Sequence, residues 1–147
     1  MKFSTRDLCF CAIGAALIAV CAWISIPADV PFTLQTFAIF AVCGLLGGRR
    51  GTVSVLVYLL LGAVGVPVFA GFRGGFASLL GTTGGYLAGF VLLTLIIAFA
   101  QARWGQGQWV FVLSAAVGLL VCYAFGTAWF LIVYTRTGAI TLGVVLA

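Results

Sequence analysis

The charged side chains of this sequence are so few and so widely spaced that they divide it into long uncharged runs. Seven Lys or Arg residues and two Asp or Glu residues occur in 147 residues, or 6% of the chain. A soluble domain carries roughly 25% charged residues, because its surface must face water. Charges are rare in the hydrocarbon core of a membrane, so they mark the ends of spanning segments. The uncharged runs are 8–28, 30–48, 51–72, 74–102, 104–135 and 137–147.

The lengths of these runs predict an all-α integral membrane protein, a bundle of six transmembrane helices in one domain, residues 1–147. A spanning helix needs about 20 apolar residues. Each of the first five runs is long enough, whereas the sixth stops at Ala147 and predicts an incomplete helix. With Gly and Pro taken as helix ends, the predicted helices are 8–26, 33–47, 52–66, 84–102 and 109–134, with a sixth starting near 138.

The basic residues predict the orientation of the bundle. With the N-terminus inside the cell, five basic residues lie on the cytoplasmic side and two lie outside. The cytoplasmic set is Lys2, Arg6, Arg49, Arg50 and Arg103, and the external set is Arg73 and Arg136. Lys and Arg collect on the cytoplasmic side of membrane proteins. We therefore expect a multi-pass protein of the plasma membrane with a cytoplasmic N-terminus. The same scatter of charges argues against nucleic-acid binding, which needs a basic stripe.

Residues for catalysis or metal binding are scarce. The chain has no His, and its five Cys residues lie scattered in apolar runs without a Cys-x-x-Cys spacing. The acidic residues are Asp7 and Asp29, and neither has an evident acid–base partner. Without a nucleophile, base or ligand cluster, the sequence predicts no enzyme, no metal and no cofactor, and it favours binding without chemistry.

The segment from Ile26 to Thr36 is unusual for lipid-facing helix. Two prolines bracket a loop, and Thr33, Gln35 and Thr36 then enter predicted helix 2. One interpretation is an ordinary helix start with Thr33 or Thr36 as N-cap. The other is that Gln35 and the threonines line a polar cavity that opens outward. The residues alone favour neither.

A second segment, 65–76, is apolar and rich in glycine. Non-helical backbone at membrane depth must be buried in protein or line a cavity. A loop that exposed this much apolar surface to water would be unfavourable. The pattern therefore predicts a lid over a pocket, with Phe69 and Phe72 as apolar cover. Arg73 is its one cation and either holds a ligand carboxylate or extends to lipid headgroups.

A third segment, 81–90, surrounds the start of predicted helix 4. It is either a helix entrance, with Thr83 as N-cap and glycines for close packing, or part of a ligand site. In the second case Gly84 and Gly85 let backbone amides approach the ligand, beside Tyr86 and the positive end of the helix dipole. The Lys of a Walker loop is missing, which argues against nucleotide hydrolysis.

Small residues recur along predicted helix 1. The small-x-x-x-small pairs are Ala12 with Ala16 and Ala15 with Ala19. Such stripes allow helices to approach closely in a membrane. Either another helix of this chain or a partner protein could use the stripe.

Four segments together resemble the biotin transporter family known as BioY. They begin with Ile26-Pro27 and Val30-Pro31-Phe32-Thr33-Leu34-Gln35-Thr36, followed by Leu45-Leu46-Gly47-x-Arg49-Arg50-Gly51. The third is Tyr58-Leu59-Leu60-Leu61-Gly62-x-x-Gly65-x-Pro67-Val68-Phe69, and the fourth is Thr83-Gly84-Gly85-Tyr86-Leu87-x-Gly89-Phe90. The resemblance extends over roughly residues 8–135.

The resemblance implies a six-helix substrate-capture subunit, or S component, of an energy-coupling factor (ECF) transporter. Its substrate would be biotin, and its partners a transmembrane coupling protein and two cytoplasmic ATPases. The stripe Ala12, Ala15, Ala16 and Ala19 would dock on the coupling protein. The outward pocket would combine Thr33, Gln35, Phe69, Arg73, Thr83, Gly84, Gly85 and Tyr86.

The sequence departs from the family pattern in two places. Thr82 replaces the usual Pro before Thr83, which we expect to loosen the start of predicted helix 4. The family's last helix also supplies an Asp and a Lys to the biotin site, and the sequence ends at Ala147 before such a pair. We therefore expect either a fragment or a weaker pocket. The alternatives to biotin capture are a structural or assembly role and capture of another small vitamin.

Overall fold

The computed structural model describes residues 4–26, 32–81 and 84–136, and most of these residues are helical. The helices are α1 (Thr5–Trp23), α2 (Gln35–Leu46), α3 (Gly48–Val64), α4 (Phe76–Leu80), α5 (Gly84–Trp104) and α6 (Gln108–Arg136). Two short antiparallel strands, β1 (Ser25–Ile26) and β2 (Phe32–Thr33), lie between α1 and α2. Three helices, α1, α5 and α6, are long and apolar enough to cross a membrane, and α2 is a shorter apolar helix.

Helix α1 begins and ends earlier than the predicted range 8–26. At its start, Ser4 and Asp7 form a capping box: Ser4 Oγ accepts from the Asp7 backbone N–H at 3.3 Å, and Asp7 Oδ2 accepts from the Ser4 backbone N–H at 3.1 Å. The prediction treated Asp7 as a boundary, but a carboxylate stabilises the first turn of a helix. At the other end, Ser25 and Ile26 pair with β2 instead of continuing the helix.

Helix α3 starts four residues before its predicted start at 52. Gly47 alone separates it from α2 and has a φ of 89°, which a glycine adopts without strain. Arg49 and Arg50 therefore lie in the first turn of α3, not in a loop. At the other end, Gly65 ends α3 in the left-handed conformation, close to the predicted end at 66.

The prediction missed two short elements. Helix α4 is only five residues long, and each strand of the β1–β2 pair has two residues. Neither is long enough to show a periodic pattern in the sequence. The all-α prediction is confirmed as the class of the fold, to which the structure adds this one pair of short strands. Helices α5 and α6 lie within two residues of the predicted ranges 84–102 and 109–134. The predicted sixth helix, starting near 138, lies outside the described residues.

Helix α3 is at the centre of the packing and contacts α1, α2, α4 and α5, while α6 packs along α5. The largest fully buried side chains include Ile18, Ile39, Tyr58, Leu93 and Ile97. Large apolar side chains also cover the outside of the bundle. A surface of this kind suits contact with lipid.

The two ends of the bundle differ in character. At one end, which we call the basic end, Arg50 pairs with Asp7 at 2.5 Å and the Gly48 N–H donates to Gln101 Oε1 at 2.7 Å. These contacts bring together the start of α1, the α2–α3 turn and the last turns of α5. The opposite end, the lid end, carries the connection between α3 and α4.

Candidate ligand-binding site

Residues 65–75, which we call the lid segment, fold back over the end of α3. The Phe69 N–H donates to the Arg73 carbonyl at 3.0 Å and closes a tight turn. The Gly75 N–H donates to the Gly62 carbonyl at 2.6 Å and ties the end of the segment to α3. The predicted non-helical lid is therefore an ordered structure with its own hydrogen bonds.

Two aromatic side chains anchor consecutive carbonyls of the lid segment. Trp23 Nε1, at the end of α1, donates to the Pro67 carbonyl at 2.9 Å. The Tyr58 hydroxyl, from α3, donates to the Val68 carbonyl at 3.0 Å. Buried carbonyls of non-helical backbone need hydrogen-bond donors, and these two side chains supply them.

Phe69 and its neighbour Val68 are buried in the lid segment, with 4% and 6% of their surfaces exposed. The Phe69 ring meets the ring of Tyr58 edge to face, with centroids 5.6 Å apart. The ring also lies directly on Gly62, where an added Cβ would overlap it. The glycine of α3 therefore makes the space into which the lid segment inserts its aromatic side chain.

Gln35 lies beneath the lid segment at the start of α2. Its side chain is 3% exposed and lies close to the Tyr58 hydroxyl. The structure thus connects two of the predicted site residues, Gln35 and Phe69, through Tyr58. Tyr58 was not among the predicted site residues, although its lone hydroxyl in the apolar run 55–64 was a signal that could have drawn attention to it.

Arg73 and Phe72 occupy the outer surface of the lid segment. Both side chains are exposed. Phe72 has a φ of 57°, which is uncommon for a residue with a side chain. Its ring stacks on Trp23 with centroids 5.3 Å apart, and this contact holds it in place. Arg73 therefore lies on the outer face of the lid segment, away from the buried Gln35–Tyr58–Phe69 cluster.

Gly84, Gly85 and Tyr86 form a second group, whose contacts run to α4 and α6. An added Cβ at Gly84 would overlap the Leu79 carbonyl of α4, and one at Gly85 would overlap the Cβ of Trp129. The Tyr86 hydroxyl lies 3.3 Å from the Thr127 hydroxyl. These glycines bring α5 into close contact with its neighbours, as one of the two interpretations of the segment expected.

The two groups are joined through α4. This helix follows the lid segment and contacts both α3 and α5. Beyond it, the Gly81 carbonyl accepts from Trp129 Nε1 of α6 at 3.0 Å. Of the other predicted site residues, Thr83 and the side chain of Thr33 lie outside the part of the chain that the structure describes.

The alanine stripe of α1 divides into two faces. Ala15 and Ala19 are buried within the bundle, whereas Ala12 and Ala16 are exposed. Next to the buried pair, Gly14 packs so closely on α3 that an added Cβ would lie 2.6 Å from Ser54 Oγ. One face of the stripe thus packs on this chain, as the first interpretation expected, and docking of a partner on the other face stays a prediction.

Among residues 4–26, 32–81 and 84–136, no three His, Cys, Asp or Glu side chains lie close enough together to hold a metal ion. The five cysteines are free thiols at separate places in the bundle. The described cluster beneath the lid segment is made of an amide, a phenol and an aromatic ring. In small-molecule sites, groups of these kinds supply hydrogen bonds and apolar contact.

Comparison with known proteins identifies the family. The sequence profile of the BioY family matches residues 1–147. This chain belongs to the BioY family. The biotin transporter BioY of Thermotoga maritima is 47% identical over 122 residues, which are 82% of this chain and 72% of the relative. The probable biotin transporter BioY of Pyrococcus horikoshii is 42% identical over 125 residues, which are 84% of this chain and 74% of the relative.

A solved member of the same functional class has the same fold. The crystal structure of the S-component for biotin from an ECF-type ABC transporter superposes with a TM-score of 0.80. The match includes 99% of this chain and 82% of that structure, at 26% sequence identity. The BioY assignment and the membrane-length helices make this chain a multi-pass membrane protein.

Proposed function

We propose that this protein captures biotin at the outer face of the plasma membrane as the S component of an ECF-type transporter. Membership of the BioY family, with a solved S-component for biotin that matches nearly the whole chain, is the observation that carries this proposal. The protein would act as a single transmembrane substrate-binding domain. It would bind and release biotin without chemical change, so we propose no enzymatic activity.

The proposed binding site lies at the lid end, between the start of α2, the lid segment and the start of α5. Its residues are Thr33, Gln35, Phe69, Arg73, Thr83, Gly84, Gly85 and Tyr86, to which we add Tyr58. Biotin has a neutral fused ring with a valerate tail. Amide and hydroxyl groups such as those of Gln35 and Tyr58 suit the ring, and the exposed cation Arg73 suits the carboxylate.

Equilibrium binding of radiolabelled biotin to the purified full chain in lipid nanodiscs tests this function. We expect saturable binding that unlabelled biotin displaces. Displacement by a different vitamin but not by biotin would instead indicate a capture subunit for that vitamin. Absence of binding to any vitamin tested, by a chain that remains folded, would indicate a structural or assembly role and would refute the proposal.

The proposed topology has six transmembrane helices with the N-terminus in the cytoplasm, so the basic end faces the cytoplasm. The grouping of Arg49 and Arg50 with the start of α1 supports this arrangement, because Lys and Arg favour the cytoplasmic side. In a background without native cysteines, we expect Arg73→Cys to react with an impermeant thiol reagent from outside. Arg49→Cys should react only after the membrane is permeabilised. The reverse pattern would show that the topology is inverted.

The proposed partners are the lipid bilayer, a transmembrane coupling protein and two cytoplasmic ATPases. The exposed pair Ala12 and Ala16 would form the docking face on α1, since small side chains allow close approach of a partner helix. The buried pair Ala15 and Ala19 would support that face from inside.

Bulky substitutions test this docking face. We expect Ala12→Trp and Ala16→Trp to abolish co-purification with the coupling protein while biotin binding is retained. Leu113→Trp is the matched control, because Leu113 is also exposed but lies on α6. Intact co-purification with both alanine variants, or equal loss with the control, would exclude this face.

The hydrogen bonds from Trp23 and Tyr58 to the lid segment should slow the release of biotin. Trp23→Phe and Tyr58→Phe each remove one hydrogen bond to the lid segment but keep an aromatic ring. One hydrogen bond is worth about 0.5–1.5 kcal/mol, so we expect biotin to dissociate about two- to tenfold faster from each variant. Tyr123→Phe, on α6, is the control for loss of a phenol. Unchanged dissociation from both anchor variants would mean that the lid segment does not cover the ligand.

A further inference from the structure

The lid segment begins before α3 has crossed the thickness of a membrane. Helix α3 has 17 residues, which gives it a length of about 26 Å. The hydrocarbon core of a bilayer is about 30 Å thick. The first turn of α3 holds the ion pair of Arg50 with Asp7, and charged groups are rare inside the hydrocarbon core. A helix that starts at one edge of the core and has this length ends short of the opposite edge.

Two hydrogen bonds fix the depth of the lid segment. The Gly75 N–H donates to the Gly62 carbonyl, which lies about 21 Å from the start of α3. Trp23 donates to the Pro67 carbonyl and lies about 27 Å from the start of α1. Both helices start at the basic end, and any tilt brings their far ends closer to it. Both ends of the lid segment are therefore held at a height less than the thickness of the hydrocarbon core.

The tryptophans of α6 indicate a matching depth for α4. Trp109 and Trp129 are twenty residues apart on this helix, a rise of about 30 Å. Tryptophan collects at the two membrane–water interfaces, so the pair is spaced to mark both of them. Trp129 Nε1 donates at 3.0 Å to the carbonyl of Gly81, which directly follows α4. The end of α4 thus lies at the edge of the hydrocarbon core.

The lid segment has the internal hydrogen bonds that this depth requires. Non-helical backbone is tolerated within a membrane where protein satisfies its polar groups. Trp23 and Tyr58 donate to two of its carbonyls. The Val66 N–H donates to the Leu61 carbonyl at 3.1 Å. A loop in water does not depend on such partners, because water can take their place.

The outer surface of the lid segment and α4 is apolar. Phe72, Phe76 and Leu80 are 66%, 63% and 57% exposed. Phe76 and Leu80 are four residues apart and share one side of α4, while Leu79 packs against the core. In water, an exposed apolar patch of this kind would be unfavourable. At membrane depth the same side chains meet the acyl chains of lipids.

We propose that the lid segment and α4 lie within the outer leaflet, where Phe72, Phe76 and Leu80 contact the acyl chains of phospholipids. The leaflet follows from the topology proposed above. The lid segment therefore closes on α3 with lipid, not water, against its outer surface. Phe76 and Leu80 belong neither to the proposed biotin site nor to the docking face of α1, so the contact with lipid does not depend on which vitamin the protein captures.

Spin labels in the full chain, in lipid nanodiscs and without native cysteines, test this placement. A nitroxide attached to Phe76→Cys or Leu80→Cys collides with oxygen, which concentrates in lipid, or with a water-soluble nickel chelate. Leu120→Cys, exposed in the middle of α6, is the lipid reference. Gln106→Cys, exposed in the α5–α6 connection, is the aqueous reference. We expect the ratio of oxygen to nickel collisions at both α4 positions to lie closer to that of Leu120→Cys.

Two results of this experiment would overturn the proposal. A ratio closer to that of Gln106→Cys would place α4 in water. Few collisions with either reagent would show that protein, such as a second copy of this chain, covers the surface. Biotin binding is measured in the same samples. A chain that shows the lipid ratio but binds no biotin would refute the proposed function and leave the lipid contact standing.

A photoreactive side chain gives a second readout in the chain with all its cysteines. With p-benzoylphenylalanine in place of Phe76, we expect irradiation in nanodiscs to produce covalent adducts with phospholipid, detected by mass spectrometry. The same amino acid in place of Leu120 is the positive control. Lipid adducts at position 120 without any at position 76 would contradict the proposal.

Discussion

Gly62→Ala is expected to weaken biotin binding by about ten- to hundredfold. The new Cβ would overlap the ring of Phe69, so the lid segment could no longer insert this side chain against α3. Overpacking of this kind costs about 1–3 kcal/mol. The overlap destabilises the state in which the lid segment is packed on α3, and every 1.4 kcal/mol of that destabilisation raises the dissociation constant of biotin about tenfold.

A second substitution distinguishes this effect from general damage to the fold. Phe69→Leu replaces the rigid ring with a smaller, flexible side chain that can move away from the added methyl group. We expect the double variant Gly62→Ala/Phe69→Leu to bind biotin more tightly than the two single substitutions predict when their fold-losses in affinity are multiplied. Additive losses, or normal binding by Gly62→Ala alone, would show that contact between Gly62 and Phe69 does not control the site.

The long helices could be predicted from the sequence because the membrane imposes a simple rule on it. A spanning helix must be apolar over its whole length, so the charges mark where each helix can end. The rule fails where a charge lies inside the first turn of a helix. Asp7 forms a capping box with Ser4 at the start of α1, and Arg49 and Arg50 belong to the first turn of α3. Charge spacing alone cannot distinguish a charge beside a helix from one that forms part of its end.

The non-helical backbone of the lid segment was predictable from composition, but its anchors were not. The glycines of 65–76, together with Pro67, predict non-helical backbone. The donors to its carbonyls, Trp23 and Tyr58, come from two different helices. Which side chains reach a given carbonyl depends on how α1 and α3 rotate against each other, and the sequence of neither helix determines that rotation.

The orientation of the small residues on α1 could not be predicted from the sequence either. Ala12, Ala15, Ala16 and Ala19 form one set by spacing, yet the structure buries two and exposes two. Two interleaved small-x-x-x-small pairs lie on neighbouring sides of a helix, and only the packing of the bundle shows which pair faces inward. The glycines at the start of α5 are a further example, because a glycine that admits a ligand and one that admits a helix look alike in sequence.

The glycine at position 85 provides the test that separates these two roles. We expect Gly85→Ala to lower the melting temperature of the protein without ligand by about 4–8 °C, which corresponds to a net cost of about 2 kcal/mol. The reason is steric: the new methyl group would overlap the Cβ of Trp129. That atom is bonded to the α6 backbone and cannot turn aside, so α5 and α6 must separate. The overlap must also outweigh the gain of about 1 kcal/mol when Ala replaces Gly within a helix.

Gly44→Ala serves as the control, because it gives the gain in helix propensity without a steric overlap. Gly44 lies within α2, and its added Cβ would meet only the Phe111 ring at the ordinary distance of 3.5 Å. We therefore expect this variant to melt at the same temperature as the parent or slightly above it. A glycine whose purpose is to admit biotin would behave differently at position 85. Its substitution would leave the ligand-free melting temperature unchanged and would reduce only the stabilisation that biotin adds. That result would leave Gly85 a role in the binding site alone and would exclude a role in the α5–α6 contact.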